Sequence, residues 1–309
     1  MKDFMNRQEI LAELKRLRLV VFGAARTETP LPKVRRVKQA IFNMEKSVVL
    51  LDDPHIYDDW EELLILFQCY RRRKGRLTHL RLSQMEKRFI ATGQGARFDA
   101  FFDVIKQLLA PECITPHGYI KTFSSMTGVD VFGGLASQLS PILDIGDPVI
   151  LYSGTLLGHV REDGPIGHDD DVDVAVFLGE HRYEVIPNRW YAYKKALFEN
   201  GLISEKSASI KTPVIKVDTD IGMTIDLFPA WSSEGRFSVY PHSLGELTNG
   251  MILPLQGFRT TRIMLPSDSE AFLEHCYGET WRVPDPLFHF DWENAYHKFE
   301  LLVGHDFSV

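Results

Sequence analysis

The chain has 309 residues, of which 44% are apolar and 25% charged, and its formal net charge is −7. This composition is typical of a soluble globular protein, and three widely spaced cysteines without a CxxC motif indicate neither a disulfide framework nor a zinc site. The N-terminal residues carry acids and bases throughout, and no window approaches eighteen uncharged apolar residues. We therefore expect a cytoplasmic protein without a secretory signal or a transmembrane helix.

Charge is unevenly distributed along the chain. Residues 1–125 contain 22 Lys or Arg against 15 Asp or Glu, a net charge of +7, whereas residues 126–309 contain 13 against 27, a net charge of −14. Nucleic-acid backbones bind to basic surfaces, so an acidic second half argues against nucleic acid as a partner.

Residues 1–115 are predicted to be helical, because apolar residues recur at helical spacing, as in Ile10, Leu14 and Leu17. The basic segment Arg71–Lys74, together with Arg76, favours a helix C-terminus, where cations suit the helix dipole. Contact with an anionic membrane surface is the alternative interpretation.

Residues 116–309 are predicted to form an α/β domain, because Pro, Gly and β-branched residues become frequent there. The expected helices lie at 128–143, 155–160 and 188–200. The expected strands lie at 149–152, 171–178, 213–218 and 223–229. Between the first strand and the second helix, Ser153, Gly154 and Thr155 are predicted to form a turn.

Four carboxylates occur within five positions at the start of the strand 171–178. Asp171 and Asp173 have the same parity in this strand, so both side chains point to one face, about 6.6 Å apart along the backbone. Asp169 and Asp170 precede them, and an ordinary solvated turn explains these two equally well. Charge entering a protein core needs neutralisation, so the sequence predicts a metal site here.

Asp226 lies between apolar residues on a later predicted strand and is the expected third ligand. Oxygen ligands at this density favour Mg²⁺ or Mn²⁺ over zinc. The turn at Ser153, Gly154 and Thr155 offers backbone N–H groups and hydroxyls to a phosphate, and Arg161 is a predicted phosphate contact with a surface residue as the alternative. Together these residues predict a phosphoryl-transfer site.

The order of these motifs resembles the nucleotidyltransferase superfamily, which has the polymerase-β-like fold. GTLLG at Gly154–Gly158, a following arginine and DDDVD at Asp169–Asp173 are similar to its LicD branch, which includes phosphocholine transferases and fukutin-related ribitol-phosphate transferases. DLFP at Asp226–Pro229 and the YGETW-containing block at Leu265–Pro284 agree with that branch. The resemblance covers about residues 128–285 and implies a mixed β-sheet flanked by helices, preceded by the N-terminal helical region.

The resemblance implies transfer of a phosphorylated alcohol from a CDP-linked donor to a hydroxyl of a glycan or lipid-linked saccharide, with release of CMP. Asp171 and Asp173 would hold the cation on the diphosphate, and Asp226 would activate the acceptor hydroxyl. This reaction would belong to surface polysaccharide or glycan modification. The protein would then be cytoplasmic, with a peripheral position at the inner membrane face as an option.

One position departs from the family pattern. Gly167-His168 stands where the family usually has Pro-Trp, so His168 is a candidate substrate contact, with a plain loop histidine as the alternative. Lys211 and Lys216 are further candidates for phosphate contacts, although ordinary surface lysines explain them as well.

Two other functions share the same acids. The first is a nucleotidyltransferase that moves a nucleoside monophosphate from an NTP to a small molecule. The second is a catalytically inactive scaffold of the same fold. The LicD-like string and the YGETW block favour the phospho-alcohol transferase over both.

Overall fold

A computed structural model describes residues 4–27, 29–126, 130–219 and 223–309. The chain divides into two compact units. Unit 1 consists of Met1–Lys121 with Pro286–His289, and unit 2 consists of Thr122–Asp285 with Phe290–Val309. Within the described residues, no helix is both long enough and apolar enough to span a membrane.

Unit 1 contains five helices and a β-hairpin. These are α1 (Arg7–Thr27), α2 (Val34–Leu51), α3 (Pro54–Tyr70), α4 (Gly75–Ala91), α5 (Gly95–Leu109), β1 (Glu112–Thr115) and β2 (Gly118–Lys121). The apolar rows of the helices form its core, and Leu17, Trp60 and Phe89 are fully buried there. The predicted helical N-terminal region is therefore confirmed. The unit extends to Lys121 rather than to residue 115, because the hairpin packs against α4 and α5.

Helix α3 shows how local sequence and packing combine in unit 1. Asp53 caps its first turn by accepting hydrogen bonds from the N–H groups of His55 and Ile56, and Pro54 supplies a preset backbone angle at the first position. Four acidic residues on this helix are ion-paired with four arginines of α1, α4 and α5. The pairs are Asp58–Arg88, Asp59–Arg18, Asp59–Arg97, Glu61–Arg81, Glu61–Arg88, Glu62–Arg18 and Glu62–Arg97.

Unit 2 contains the remaining elements. Its helices are α6 (Val131–Leu143), α7 (Ser153–Glu162), α8 (Ile186–Glu199), α9 (Glu205–Ala208), α10 (Asn249–Ile252), α11 (Ser269–Tyr277), α12 (Trp292–Lys298) and α13 (Glu300–Val303). Its strands are β3 (Val149–Leu151), β4 (Asp171–Glu180), β5 (Ile215–Asp218), β6 (Thr224–Ser233), β7 (Arg236–Val239), β8 (Ser243–Thr248), β9 (Gln256–Gly257) and β10 (Met264–Leu265).

These eight strands form one mixed sheet in the order β8-β7-β6-β4-β3-β10-β9, with β5 pairing to β6. The two longest strands, β4 and β6, are parallel neighbours at its centre. Apolar side chains of β4 and β6 are buried against the helices, among them Val174, Val176 and Leu227. The mixed sheet with flanking helices confirms the predicted fold class.

The strand at 149–152, the short helix and the strand at 171–178 correspond to β3, α7 and β4. Of the helix predicted at 128–143, residues 128 and 129 lie outside the described residues, and the rest corresponds to α6. The turn predicted at Ser153, Gly154 and Thr155 is wrong, since these residues form the first turn of α7. The strand β3 ends at Leu151, so Tyr152 serves as the N-cap residue and the helix starts immediately after it.

Candidate active site

The acidic centre is built from two adjacent strands. Asp173 of β4 and Asp226 of β6 are register partners in the parallel pair, and neighbouring strands lie about 4.8 Å apart. Asp171 has the same parity as Asp173, so its side chain extends from the same face of the sheet. The exposed fractions of Asp171 and Asp226 are only 8% and 5%. The structure therefore brings together the three acids that the sequence predicted as ligands.

Asp169 also belongs to this centre. A Cβ atom placed on Gly154 would lie 2.6 Å from Asp169 Oδ2 and 3.3 Å from Asp173 Oδ2. Residue 154 therefore has to be glycine for these carboxylates to keep their positions beside the first turn of α7. Asp170 donates its backbone N–H to Asp169 Oδ1 at 3.0 Å, which orients the Asp169 carboxylate. From the sequence, a solvated turn explains Asp169 equally well, and only the tertiary structure places its carboxylate beside Gly154.

The first turn of α7 holds Asp173 in place. Gly154 donates its backbone N–H to Asp173 Oδ2 at 3.0 Å, and the Asp173 N–H donates to the Thr155 hydroxyl at 2.8 Å. Thr155 is buried, and the two bonds hold both the backbone N–H and the carboxylate of Asp173. Gly154 and Thr155 thus hold the aspartate, and their contact with phosphate stays a prediction.

The acidic centre is dominated by repulsion between neighbouring carboxylates. Burial raises the pKa of Asp173 well above its usual range, and the charges of Asp171, Asp169 and Asp226 raise it further. The N–H group of Gly154 acts in the opposite direction, because it stabilises the ionised carboxylate. A site of this kind attracts positive charge.

Lys216 provides such a charge. In the antiparallel pair of β5 and β6, Lys216 is the register partner of Asp226, and its Nζ donates to Asp226 Oδ2. The Lys216 side chain keeps an exposed fraction of 39%, so its ammonium group also faces solvent at the rim of the centre. The other candidate, Lys211, pairs at the surface with Asp306 at 2.9 Å.

Two tyrosines adjoin the acids. Tyr277, at the C-terminal end of α11, lies with its hydroxyl 2.9 Å from the hydroxyl of Ser153. Burial and the neighbouring charge of Asp173 raise the pKa of Tyr277 well above its usual range, so its hydroxyl keeps its proton. Tyr152 donates to the carbonyl of Tyr240 at 3.2 Å and contacts Nδ1 of His242. In the sequence, Tyr277 is recognisable only as part of the YGETW block.

The contacts of Arg161 and His168 are with residues other than the clustered aspartates. The Arg161 guanidinium donates to the Trp281 carbonyl at 3.2 Å and to Glu162, and only 9% of its side chain is exposed. These bonds tie α7 to the block around Trp281, and the phosphate contact of Arg161 stays a prediction. Burial lowers the pKa of the half-buried His168, so its imidazole is neutral near pH 7. The loop before the acids is anchored by the Ser124 N–H, which donates to the Gly167 carbonyl at 2.9 Å.

The donor chemistry of this centre fits a divalent cation that prefers oxygen. Asp169, Asp171, Asp173 and Asp226 offer carboxylate oxygens alone, and Gly154 leaves the space that two of them occupy. Across the part of the chain that the structure describes, no three His, Cys, Asp or Glu side chains already stand in a metal-ligating arrangement. The carboxylates would therefore have to reorient around an ion.

Comparisons with known proteins agree with this geometry. Residues 146–267 match a family model described as LicD/FKTN/FKRP, nucleotidyltransferase domain. The chain is also 24% identical over 161 residues to the ribitol-5-phosphate transferase FKTN of Mus musculus, an alignment that covers 49% of this chain and 32% of that protein. The chain thus matches about a third of the length of this relative.

The family match begins just before β3 and includes β4 and β6 with all four clustered acids. The same segment contains Gly154 and Thr155, which hold Asp173, and Lys216, which pairs with Asp226. Residues 146–267 are therefore similar to the nucleotidyltransferase domain of the LicD family.

Proposed function

We propose that this chain transfers a phosphorylated alcohol from a CDP-linked donor to a hydroxyl group of a glycan or lipid-linked saccharide and releases CMP. The observation that carries the proposal is the carboxylate cluster on the adjacent strands β4 and β6, inside the LicD-family domain. The name of the relative FKTN, a ribitol-5-phosphate transferase, supports a phospho-alcohol as the transferred group. Ribitol phosphate, glycerol phosphate and phosphocholine are the candidates for that group.

The proposed cofactor is Mg²⁺ or Mn²⁺, held by Asp171, Asp173 and Asp226. When bound, such a cation neutralises phosphate charge and lowers the pKa of a hydroxyl group beside it. The support for it is the oxygen-only donor set and the space that Gly154 leaves for two carboxylates.

The residues of this chain would act as follows. The oxygen of the acceptor hydroxyl forms a bond to the phosphorus of the phospho-alcohol, while the bond from that phosphorus to the CMP oxygen breaks. The hydroxyl proton passes to the carboxylate of Asp226, which the ion pair with Lys216 holds in position. Gly154 and Thr155 keep Asp173 oriented, and Ser153 stays a predicted phosphate contact near Tyr277.

The direct test is an assay for CMP release. The purified protein is incubated with Mg²⁺ and CDP-ribitol, CDP-glycerol or CDP-choline, with and without oligosaccharide acceptors. We expect CMP release that depends on the acceptor and is lost in Asp173→Asn. As a matched control, Asp103→Asn changes an exposed aspartate of the surface pair with Lys106 in unit 1 and should leave the rate unchanged.

The same assay separates the alternatives. Release of pyrophosphate from ATP or CTP, without CMP release from any CDP-alcohol, would establish the nucleotidyltransferase reaction instead. If Asp173→Asn kept the biological activity of the chain in cells, the protein would act as a scaffold and the proposed reaction would be wrong.

The proposed location is the cytoplasm, with the basic segment Arg71–Lys74 and Arg76 in contact with an anionic membrane surface that carries the acceptor. The support is the positive charge of residues 1–125. Binding to anionic vesicles should weaken as salt rises, and binding that is indifferent to salt would contradict this contact.

A further inference from the structure

Unit 1 contains a cavity of about 430 Å³ that is lined by five cationic side chains. They come from the start of α2 and from the segment that joins α3 to α4, and Val34, Phe42 and Phe67 form the apolar part of the wall. The five cations are Arg35, Lys38, Arg71, Arg73 and Lys74, and together with these walls they define what we call the basic cavity.

The cations of the basic cavity are not neutralised by acids. Among the residues that the structure describes, none of the five forms an ion pair with an acidic side chain, whereas the neighbouring Arg72 pairs with Glu112 at 2.8 Å. Lys38 and Lys74 instead lie over the ring of Phe42, each with Nζ 5.9 Å from the ring centre. Like charges that share one cavity repel each other, and a bound anion would offset this unfavourable electrostatic energy.

The helix dipoles increase the positive potential of the cavity. Helices α2 and α4 both begin there, after Lys33 and Lys74, and neither start has a side-chain cap or an acidic residue in its first turn. Cations at a helix N-terminus are unfavourable, and acids are the usual residues at that position. The helix C-terminus expected from the sequence is also present, since Arg71 caps α3 and the Arg72 guanidinium donates to the Cys69 carbonyl in its last turn at 2.9 Å.

We propose that the basic cavity binds a phosphate-bearing anion of more than one negative charge, with an apolar group against Phe42 and Phe67. Five cations are balanced better by a phosphate monoester or a diphosphate than by a carboxylate, and arginine binds phosphate oxygens in a bidentate manner. The volume lies in the range of small-molecule sites. The site contains no residue of the transferase centre and does not rest on the proposed reaction, although Arg71, Arg73 and Lys74 also belong to the segment proposed to contact a membrane.

Two sources supply this chemistry, namely a soluble phosphorylated compound and the headgroup of an anionic lipid. The probes are therefore inorganic pyrophosphate, measured by titration calorimetry, and phosphatidylcholine vesicles with and without phosphatidic acid, measured by co-sedimentation. All measurements are made with the full chain in EDTA, because pyrophosphate could otherwise reach the acidic centre as a metal complex. We expect saturable binding of at least one probe, and the tighter one identifies the source.

The test variant is Arg35→Gln/Arg73→Gln, which removes two lining charges. The matched control, Arg36→Gln/Lys87→Gln, removes two similarly exposed charges of α2 and α4 that do not line the cavity. We expect the test variant to weaken binding by about tenfold or more and the control by less than about twofold. Without a ligand, the test variant should unfold at a higher temperature than the control, because repulsion is relieved at the cavity.

Two results would overturn the proposal. The first is the absence of binding of both pyrophosphate and phosphatidic acid vesicles to the wild-type chain. The second is an equal loss of binding in both double variants, which would mean that overall positive charge attracts the probes and that the cavity is not a site.

Discussion

Two groups of four acidic side chains occur in this chain, and the structure balances them in different ways. On α3 in unit 1, four acids meet four arginines, with N–O distances between 2.6 and 3.5 Å. On β4 and β6 in unit 2, the acids crowd one another, so that the pKa of Asp173 rises, and Lys216 pairs with one of them.

The difference leads us to expect that the group on α3 contributes to stability and that the group around β4 and β6 contributes to the proposed reaction. Buried acids that are fully matched by arginines tie helices together and have no charge left for a ligand. Buried carboxylates that repel one another are stabilised when a cation binds between them, as in a metal-dependent site. Acid content alone therefore says little, and the neighbouring cations decide the role.

The largest expected effect comes from Asp173→Asn in unit 2. Transferase activity should fall about 1,000-fold, because the substitution removes a central carboxylate of the centre. The unfolding temperature should stay the same or rise, since one of several repelling charges disappears. CMP release and a thermal melt on the same sample measure both. A strongly destabilised variant would show that this group resembles the one on α3.

The opposite pattern is expected for Glu62→Gln in unit 1. Glu62 has a side chain that is 2% exposed, and it pairs with Arg18 at 2.6 Å and Arg97 at 2.8 Å. Removing its charge should lower the free energy of unfolding by about 3 kcal/mol, because Arg18 and Arg97 each lose the more buried of their two acidic partners and keep only Asp59. Urea denaturation measures this change, and CMP release at low temperature should be unaffected.

The control for this variant is Asp103→Asn, in a surface pair whose side chains are 58% and 69% exposed. Its effect should be below about 1 kcal/mol. Equal effects of the two substitutions would mean that the network on α3 contributes no more than an exposed pair.

Mg²⁺ should also distinguish the acidic group on α3 from the group around β4 and β6. We expect it to stabilise the wild-type chain by about 2.7 kcal/mol at a hundredfold excess over Kd, and the unfolding temperature should rise accordingly. The shift should persist in Glu62→Gln and disappear in Asp173→Asn. Thermal melts with Mg²⁺ and with EDTA provide the measurement, and a shift that survives in Asp173→Asn would place the ion elsewhere.

The smallest expected effect is that of Gly154→Ala. The new Cβ would lie 2.6 Å from Asp169 Oδ2, so this carboxylate has to move and activity should fall about tenfold, with a small change in stability. The matched control is Gly134→Ala in α6, where a Cβ meets no atom within 4 Å. It should keep full activity and gain about 0.5–1 kcal/mol of helix stability. Equal activity of the two variants would show that the position of Asp169 is unimportant.

Much of this architecture could be predicted from local patterns. Runs of apolar residues identified β4 and β6, and helical spacing identified the helices of unit 1, because both patterns depend only on which residues face a core. Asp169 could have been found in the same way, since residues 169, 171 and 173 share parity. A solvated turn is an equal alternative for Asp169 in the sequence, because the local pattern does not show at which residue the strand becomes buried.

Other features depend on distant partners. Lys216 had the signature of an ordinary surface lysine, and only the antiparallel register of β5 and β6 places it opposite Asp226. The role of Tyr277 depends on a contact with Ser153, 124 positions away in the sequence. The inclusion of Pro286–His289 in unit 1 has the same origin, because Leu287 is buried in the core of that unit. Single-strand periodicity contains none of this information.

The parallel register of β4 and β6 also determines how this chain should tolerate sequence length changes. Within β6, side chains alternate between the face that bears Asp226 and the opposite face. Deleting one residue between Leu227 and Ala230 moves only the downstream half of the strand, whereas deleting one residue between Met223 and Asp226 turns that aspartate away from Asp173. A library of single deletions should therefore show a sharp boundary in function at residue 226, with no counterpart in a library of substitutions.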